Sequence, residues 1–176
     1  KLSKILIIQD PCHYSALNIL GMTHSRLKNF AISETFLTRA IIINPKYVEA
    51  YNNLGVTQKN LSAYDDAVLT FHKAINLKTE SPNVYNNLGN TFYEIGRYHD
   101  AVTCFYNAID LRPTQPTTYH NLANAYRKLG ENIKAKTLLK KSIILNPYYT
   151  KVWTNLASTL AALNEPYLAI LIFKKT

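Results

Sequence analysis

The chain of 176 residues is 47% hydrophobic and 18% charged, which excludes an intrinsically disordered polymer and supplies enough apolar surface for a packed structure. Thirteen tyrosines and six phenylalanines offer large side chains for a core, and the longest apolar run, YLAILIF at 167–173, is too short to span a bilayer. The net charge of +9 is uneven: residues 1–125 carry 11 basic and 9 acidic side chains, residues 126–176 carry 9 and 2, so attraction for an acidic partner would be concentrated late in the chain.

The opening KLSKILIIQD has a basic start and a short apolar patch but no small-residue cleavage site, so no signal peptide is expected. Residues 1–9 fall at the phase of a second helix. From there the pattern predicts five helix pairs: 14–27 with 30–43, 48–61 with 64–77, 82–95 with 98–111, 116–129 with 132–145, and 150–163 with 166–175. In the second pair Tyr51, Leu54, Gly55 and Gln58 share one face, and Ala67, Phe71 and Ala74 share another. Pro11, Pro45, Pro113 and Pro147 lie on a 34-residue grid broken only by Thr79, where Ser81 and Pro82 supply the helix start instead. Gly96 and Gly130 are positioned to end helices in the left-handed conformation.

The pentapeptide YNNLG at 51–55 returns at 85–89 and, softened, as YHNLA at 119–123 and WTNLA at 153–157. With Phe92, Ala101, Phe105 and Pro113 completing the unit begun by Tyr85, Leu88 and Gly89, the chain resembles the tetratricopeptide repeat family. The fourth unit matches through Tyr119, Leu122, Ala123, Tyr126, Ala135, Leu139 and Pro147; the fifth through Trp153, Leu156, Ala157, Ala169 and Phe173. The first departs most, with Leu17, His24 and Ser33 where two aromatics and an alanine are expected.

The resemblance implies an all-α, right-handed superhelix, a solenoid of 34-residue helix-turn-helix repeats forming one array over 1–176. Residues 1–13 would be the second helix of a truncated repeat. Full repeats would occupy 14–47, 48–81, 82–115 and 116–149, with 150–176 an incomplete last one. Leu171, Ile172 and Phe173 would lack a capping helix, which suggests a longer parent protein or self-association through uncapped ends.

One asparagine survives in all four pentapeptides: Asn53, Asn87, Asn121 and Asn155. Each lies off the buried stripe, on the face that the family turns toward its concave side. Asn52, Asn86, Asn90, Asn124, Tyr93 and Arg127 flank this column. An amide offers both donor and acceptor, so it can pair with the main chain of an extended peptide whatever that peptide's side chains are. First helices about 10 Å apart would meet such a peptide roughly every third residue. The alternative role, bonding to neighbouring helices, stays open.

The expected function is a non-catalytic scaffold that binds a protein or peptide segment in extended conformation. The amide ladder also resembles the recognition arm of O-linked N-acetylglucosamine transferases, so a glycosyltransferase arm is an alternative; no such catalytic domain lies in this sequence. Lys134, Lys136, Lys140 and Lys141 form a basic patch that raises RNA or another acidic partner as a third reading, disfavoured because the predicted groove is rich in amides rather than uniformly basic. Cys12 and Cys104 make no disulfide framework, which points to a reducing, cytoplasmic or nuclear location. The five histidines show no ligand spacing, so neither metal nor cofactor is expected, and no catalytic constellation emerges.

Overall fold

The computed structural model describes residues 13–77 and 80–173, the Phe173 side chain excepted. The helix expected over 1–9, with Pro11, Cys12, Thr79, Lys174 and Lys175, lies outside the described residues. The helices are α1 Tyr14–Arg26, α2 Phe30–Ile43, α3 Val48–Asn60, α4 Tyr64–Asn76, α5 Pro82–Glu94, α6 Tyr98–Leu111, α7 Pro116–Lys128, α8 Asn132–Leu145, α9 Thr150–Ala162 and α10 Pro166–Phe173. Among the described residues there is no strand. The chain divides into two compact units, residues 1–91 and 92–176, the division falling inside α5.

In the first unit α1 packs on α2, α2 on α3 and α3 on α4. Leu17, Ala40 and Ala50 are fully buried, with Phe36, Ile41, Ile43 and Tyr47 packed against them. Two glycines permit the close approach within each hairpin. A Cβ on Gly55 would lie 2.7 Å from the Phe71 ring, and one on Gly21 would lie 2.5 Å from Leu37 Cγ. Ser33, which stands where alanine is expected, is fully buried. Thr57 Oγ1 donates to the Asn53 carbonyl at 2.9 Å, so Ser33 Oγ, 3.1 Å from Thr57 Oγ1, is the donor of that pair and the polar substitution is satisfied.

In the second unit α6 packs on α7, α7 on α8, α8 on α9 and α9 on α10. Phe105, Leu122, Leu139 and Val152 are fully buried there. The apolar residues Tyr167, Leu168, Ile170 and Leu171 of α10 are exposed.

The five turns inside the helix pairs close in the same way. Lys28, Ser62, Gly96, Gly130 and Asn164, each 34 residues from the next, all have positive φ, between 61° and 81°. The following N–H returns to a carbonyl five residues back, as in Asn29 to His24, Ala63 to Gln58, Arg97 to Phe92, Glu131 to Tyr126 and Glu165 to Leu160, all at 2.9 Å. This is the Schellman arrangement, which satisfies otherwise orphaned carbonyls at a helix end.

Candidate functional site

The first helix of the second to fifth pairs buries a leucine, such as Leu54 or Leu88, and the recurring asparagine lies immediately before it. That one-residue offset rotates the amide to the border of the packed stripe, where Asn53, Asn87, Asn121 and Asn155 are all half-buried. In the first unit Asn53 Nδ2 donates to Asn18 Oδ1 at 2.9 Å, and Asn87 Nδ2 donates to Asn52 Oδ1 at 2.9 Å. Asn18, itself 1% exposed, passes the chain on by donating from Nδ2 to Tyr47 Oη at 3.2 Å. The Tyr47 hydroxyl in turn donates to Glu49 Oε2 at 3.2 Å. In the first unit the recurring amide therefore ties α3 to α1 and α5 to α3.

Within the second unit Asn155 makes the same backward connection to different chemistry. Its Nδ2 lies 2.7 Å from His120 Nε2 and 2.9 Å from Asn124 Oδ1. Because Nε2 accepts, the imidazole proton is on Nδ1, which faces Tyr149 Oη at 3.2 Å. Burial, and then the Lys151 and Arg127 cations, hold the His120 pKa below the ordinary imidazole value, consistent with the neutral form. Asn86 and Asn121 are also engaged. Among the described residues, the side-chain bonds of Asn53, Asn87 and Asn155 are made through Nδ2.

A polar pocket of about 450 Å³ opens in the second unit, lined by Tyr93, Asn124, Arg127, Lys128, Asn132, Ser158 and Ala162. Tyr93 comes from the end of α5 and is braced edge-on against Tyr98, ring centres 5.5 Å apart. Arg127 Nη2 donates to Ser158 Oγ at 3.0 Å. Three residues expected from the sequence, Tyr93, Asn124 and Arg127, are thus brought together. Ser158 was recoverable from the pattern, since it follows Asn124 by one 34-residue period. Lys128 and Asn132 flank the turn at Gly130 and carry no periodic signal.

Two lysines of the run are paired with carboxylates. Lys134 pairs with Glu131 and lies over the Tyr126 ring at 5.0 Å, and Lys136 pairs with Glu165 at 2.8 Å. Lys140 and Lys141 are exposed. Cys104 is buried and free, its thiol pushed up to about 12, chiefly by burial and then by the Asp100 carboxylate. Among the described residues no three His, Cys, Asp or Glu side chains converge on a point, and no helix is long and apolar enough to cross a membrane.

Family profiles match this sequence. One described as TPR repeat covers residues 60–96 and 89–130, and two described as tetratricopeptide repeat cover 36–68 and 117–146. No curated protein sequence matches with significance. Among solved structures, PilF of Pseudomonas aeruginosa is 24% identical with a TM-score of 0.85, over 92% of this chain and 73% of that one. The protein MamA is 22% identical with a TM-score of 0.79, over 92% and 88%. YrrB, a TPR protein with an unusual peptide-binding site, is 15% identical with a TM-score of 0.75, over 99% and 90%. These likenesses establish the fold, an all-α solenoid of helical hairpins.

Proposed function

Because the chain belongs to the tetratricopeptide repeat family, whose members bind protein or peptide partners, we propose that it is a non-catalytic interaction scaffold that holds an extended partner segment against the polar face of its first helices. The observation that carries this reading is the pocket lined by Tyr93, Asn124 and Arg127, which combines an aromatic ring, an amide and a guanidinium at one opening. Such a mixture suits a peptide: the ring covers apolar surface while the polar groups meet main-chain and side-chain atoms. The half-buried column contributes the Oδ1 atoms of Asn53, Asn87 and Asn155, acceptors for peptide N–H groups. Each such bond is worth only about 0.5–1.5 kcal/mol net, so affinity requires several acting together. A peptide-binding site in the similarly folded YrrB supports the reading.

The amides that bridge helices are poor probes, since replacing Asn87 also removes its bond to Asn52. Asn90 and Tyr93 are better: both are half-buried on α5, one turn apart, and neither carries a hydrogen bond to a neighbouring helix among the described residues. Peptides selected from an unbiased display library should bind the Asn90→Ala/Tyr93→Ala variant at least tenfold more weakly than the parent, with the melting temperature shifted by only a few degrees. Equal affinity for both proteins would remove the proposed face from consideration.

A further inference from the structure

We propose that the pocket beside Arg127 receives the carboxylate of an aspartate or glutamate side chain carried by the partner segment, an inference that rests on the peptide-binding reading above. Two cations, Arg127 and Lys128, line the pocket together with the amides of Asn124 and Asn132 and the hydroxyls of Tyr93 and Ser158; no acidic side chain is among its lining residues. Of the acids near the lining residues in sequence, Glu131 is held by Lys134 and Glu165 by Lys136, and Glu94, beside Tyr93, is also engaged. Arg127 itself donates to a neutral hydroxyl, Ser158 Oγ, through Nη2. One bond leaves most of the five guanidinium N–H donors, and their planar fork matches the two oxygens of a carboxylate.

A second observation concerns the interior beside the pocket. Asn124, which lines it, also bonds to His120, a side chain only 8% exposed. The cationic form of that imidazole is disfavoured first by burial and then by Lys151 and Arg127. Positive charge at this end of α7 is therefore felt inside the protein as well as at its surface. A cavity of about 450 Å³ has room for an acidic side chain with its first waters.

The distribution of charge favours a peptide over a nucleic acid. A phosphate backbone carries a charge on every nucleotide and is met by an extended stripe of cations. Here Lys134 and Lys136 are tied to carboxylates, and the pocket offers a compact pair of cations set among amides and hydroxyls.

The test uses peptides recovered from the same unbiased library, read by fluorescence anisotropy at low salt. The recovered sequences should share an acidic residue at one recurring position. Changing that residue to its amide should weaken binding to the parent protein roughly 10- to 100-fold, the range for losing charge-assisted hydrogen bonds. Arg127→Gln should weaken the acidic peptide by a similar factor and leave the amide peptide unchanged, and Arg127→Lys should restore only part of the loss. Lys140→Gln, at an exposed lysine outside the pocket, should stay within about twofold of the parent. Recovered peptides without an acidic position, or equal effects of Arg127→Gln on both peptides, would overturn the inference. If the Asn90→Ala/Tyr93→Ala variant still loses binding in that case, the peptide-binding face stands without the carboxylate. A phosphoserine peptide preferred over its glutamate copy through Arg127 would overturn the carboxylate assignment. Oligouridylate binding that depends on Arg127 and falls steeply with salt would overturn it in favour of RNA.

Discussion

Asn18, Tyr47 and Asn53 in the first unit occupy the same repeat positions as His120, Tyr149 and Asn155 in the second, three 34-residue periods later. In both places a central side chain accepts from the asparagine of the next first helix and faces a tyrosine hydroxyl on its other side. Asn18 does this with an amide, Oδ1 accepting and Nδ2 donating. His120 does it with an imidazole, Nε2 accepting and Nδ1–H donating. The comparison shows that the conserved element of the junction is an acceptor and a donor on opposite edges of one buried side chain, rather than the residue type. It also exposes a difference: an amide keeps both roles at any pH, whereas an imidazole keeps its acceptor only while neutral.

The sharpest way to break the second junction is His120→Leu, which keeps the bulk but takes the acceptor from Asn124 Nδ2 and the imidazole partner from Tyr149 Oη, and leaves Asn155 Nδ2 with Asn124 Oδ1 alone. Leaving buried polar partners unsatisfied costs about 1–3 kcal/mol each, so we expect a loss of about 2–4 kcal/mol in urea unfolding. His120→Asn, which copies the first unit, should lose about 1 kcal/mol or less. The same pair of variants isolates the pH dependence. The folded-state pKa of His120 is depressed by burial, Lys151 and Arg127, so below the unfolded value of about 6.5 the unfolded chain binds more protons than the folded one. Stability contributed by the neutral imidazole is therefore complete above about pH 6.5 and declines as pH falls from there toward the folded pKa. His120→Asn should flatten that part of the curve, and identical slopes for the two proteins would contradict the assignment of the neutral form.

The two units differ next in how closely their hairpins approach. Gly55 faces Phe71, with no room for a Cβ, whereas the corresponding position in the second unit is already Ala123, and the residue corresponding to Phe71 is Leu139. Gly55→Ala should therefore destabilise by about 1–3 kcal/mol, the usual range for overpacking against a rigid ring. Combining it with Phe71→Leu imports the second unit's solution. The double variant should be more stable than the sum of the two single effects predicts, a coupling that a double-mutant cycle in thermal unfolding reads directly.

The helix pairs could be read from sequence because a 34-residue period repeats every packing contact several times, so chance matches cancel. The asparagine column was visible for the same reason. Its hydrogen-bond partner was not, because the acceptor lies 35 residues earlier, on an adjacent column whose residues change from Asn18 and Asn52 to His120. Hydrophobic periodicity carries no information about such polar pairing. The pocket was half visible: Tyr93, Asn124 and Arg127 follow the stripe of a first helix, while Lys128 and Asn132 enter from the turn, where spacing along a helix no longer governs direction. The sequence named Lys134 and Lys136 as part of a basic patch but not their carboxylate partners, since ion pairing across a turn or between helix pairs depends on geometry.

The turns give the smallest effect and the finest comparison. Gly96 and Gly130 adopt positive φ without steric strain, but Lys28, Ser62 and Asn164 adopt it at the same grid position, at φ of 61–62°. The returning hydrogen bonds impose that conformation whatever residue is present. For an L-residue the left-handed region costs roughly 1–2 kcal/mol, offset in part because glycine loses about 0.5–1 kcal/mol more backbone entropy on folding. Ser62→Gly should thus stabilise the protein by a few tenths to about 1 kcal/mol, seen as a small rise in melting temperature. Asn164→Gly should gain less, because asparagine tolerates the left-handed region better than most residues. Equal gains at both positions would mean that the hydrogen-bonded turn, and not the residue's own backbone preference, sets the strain, and the ranking Ser62 above Asn164 separates the two.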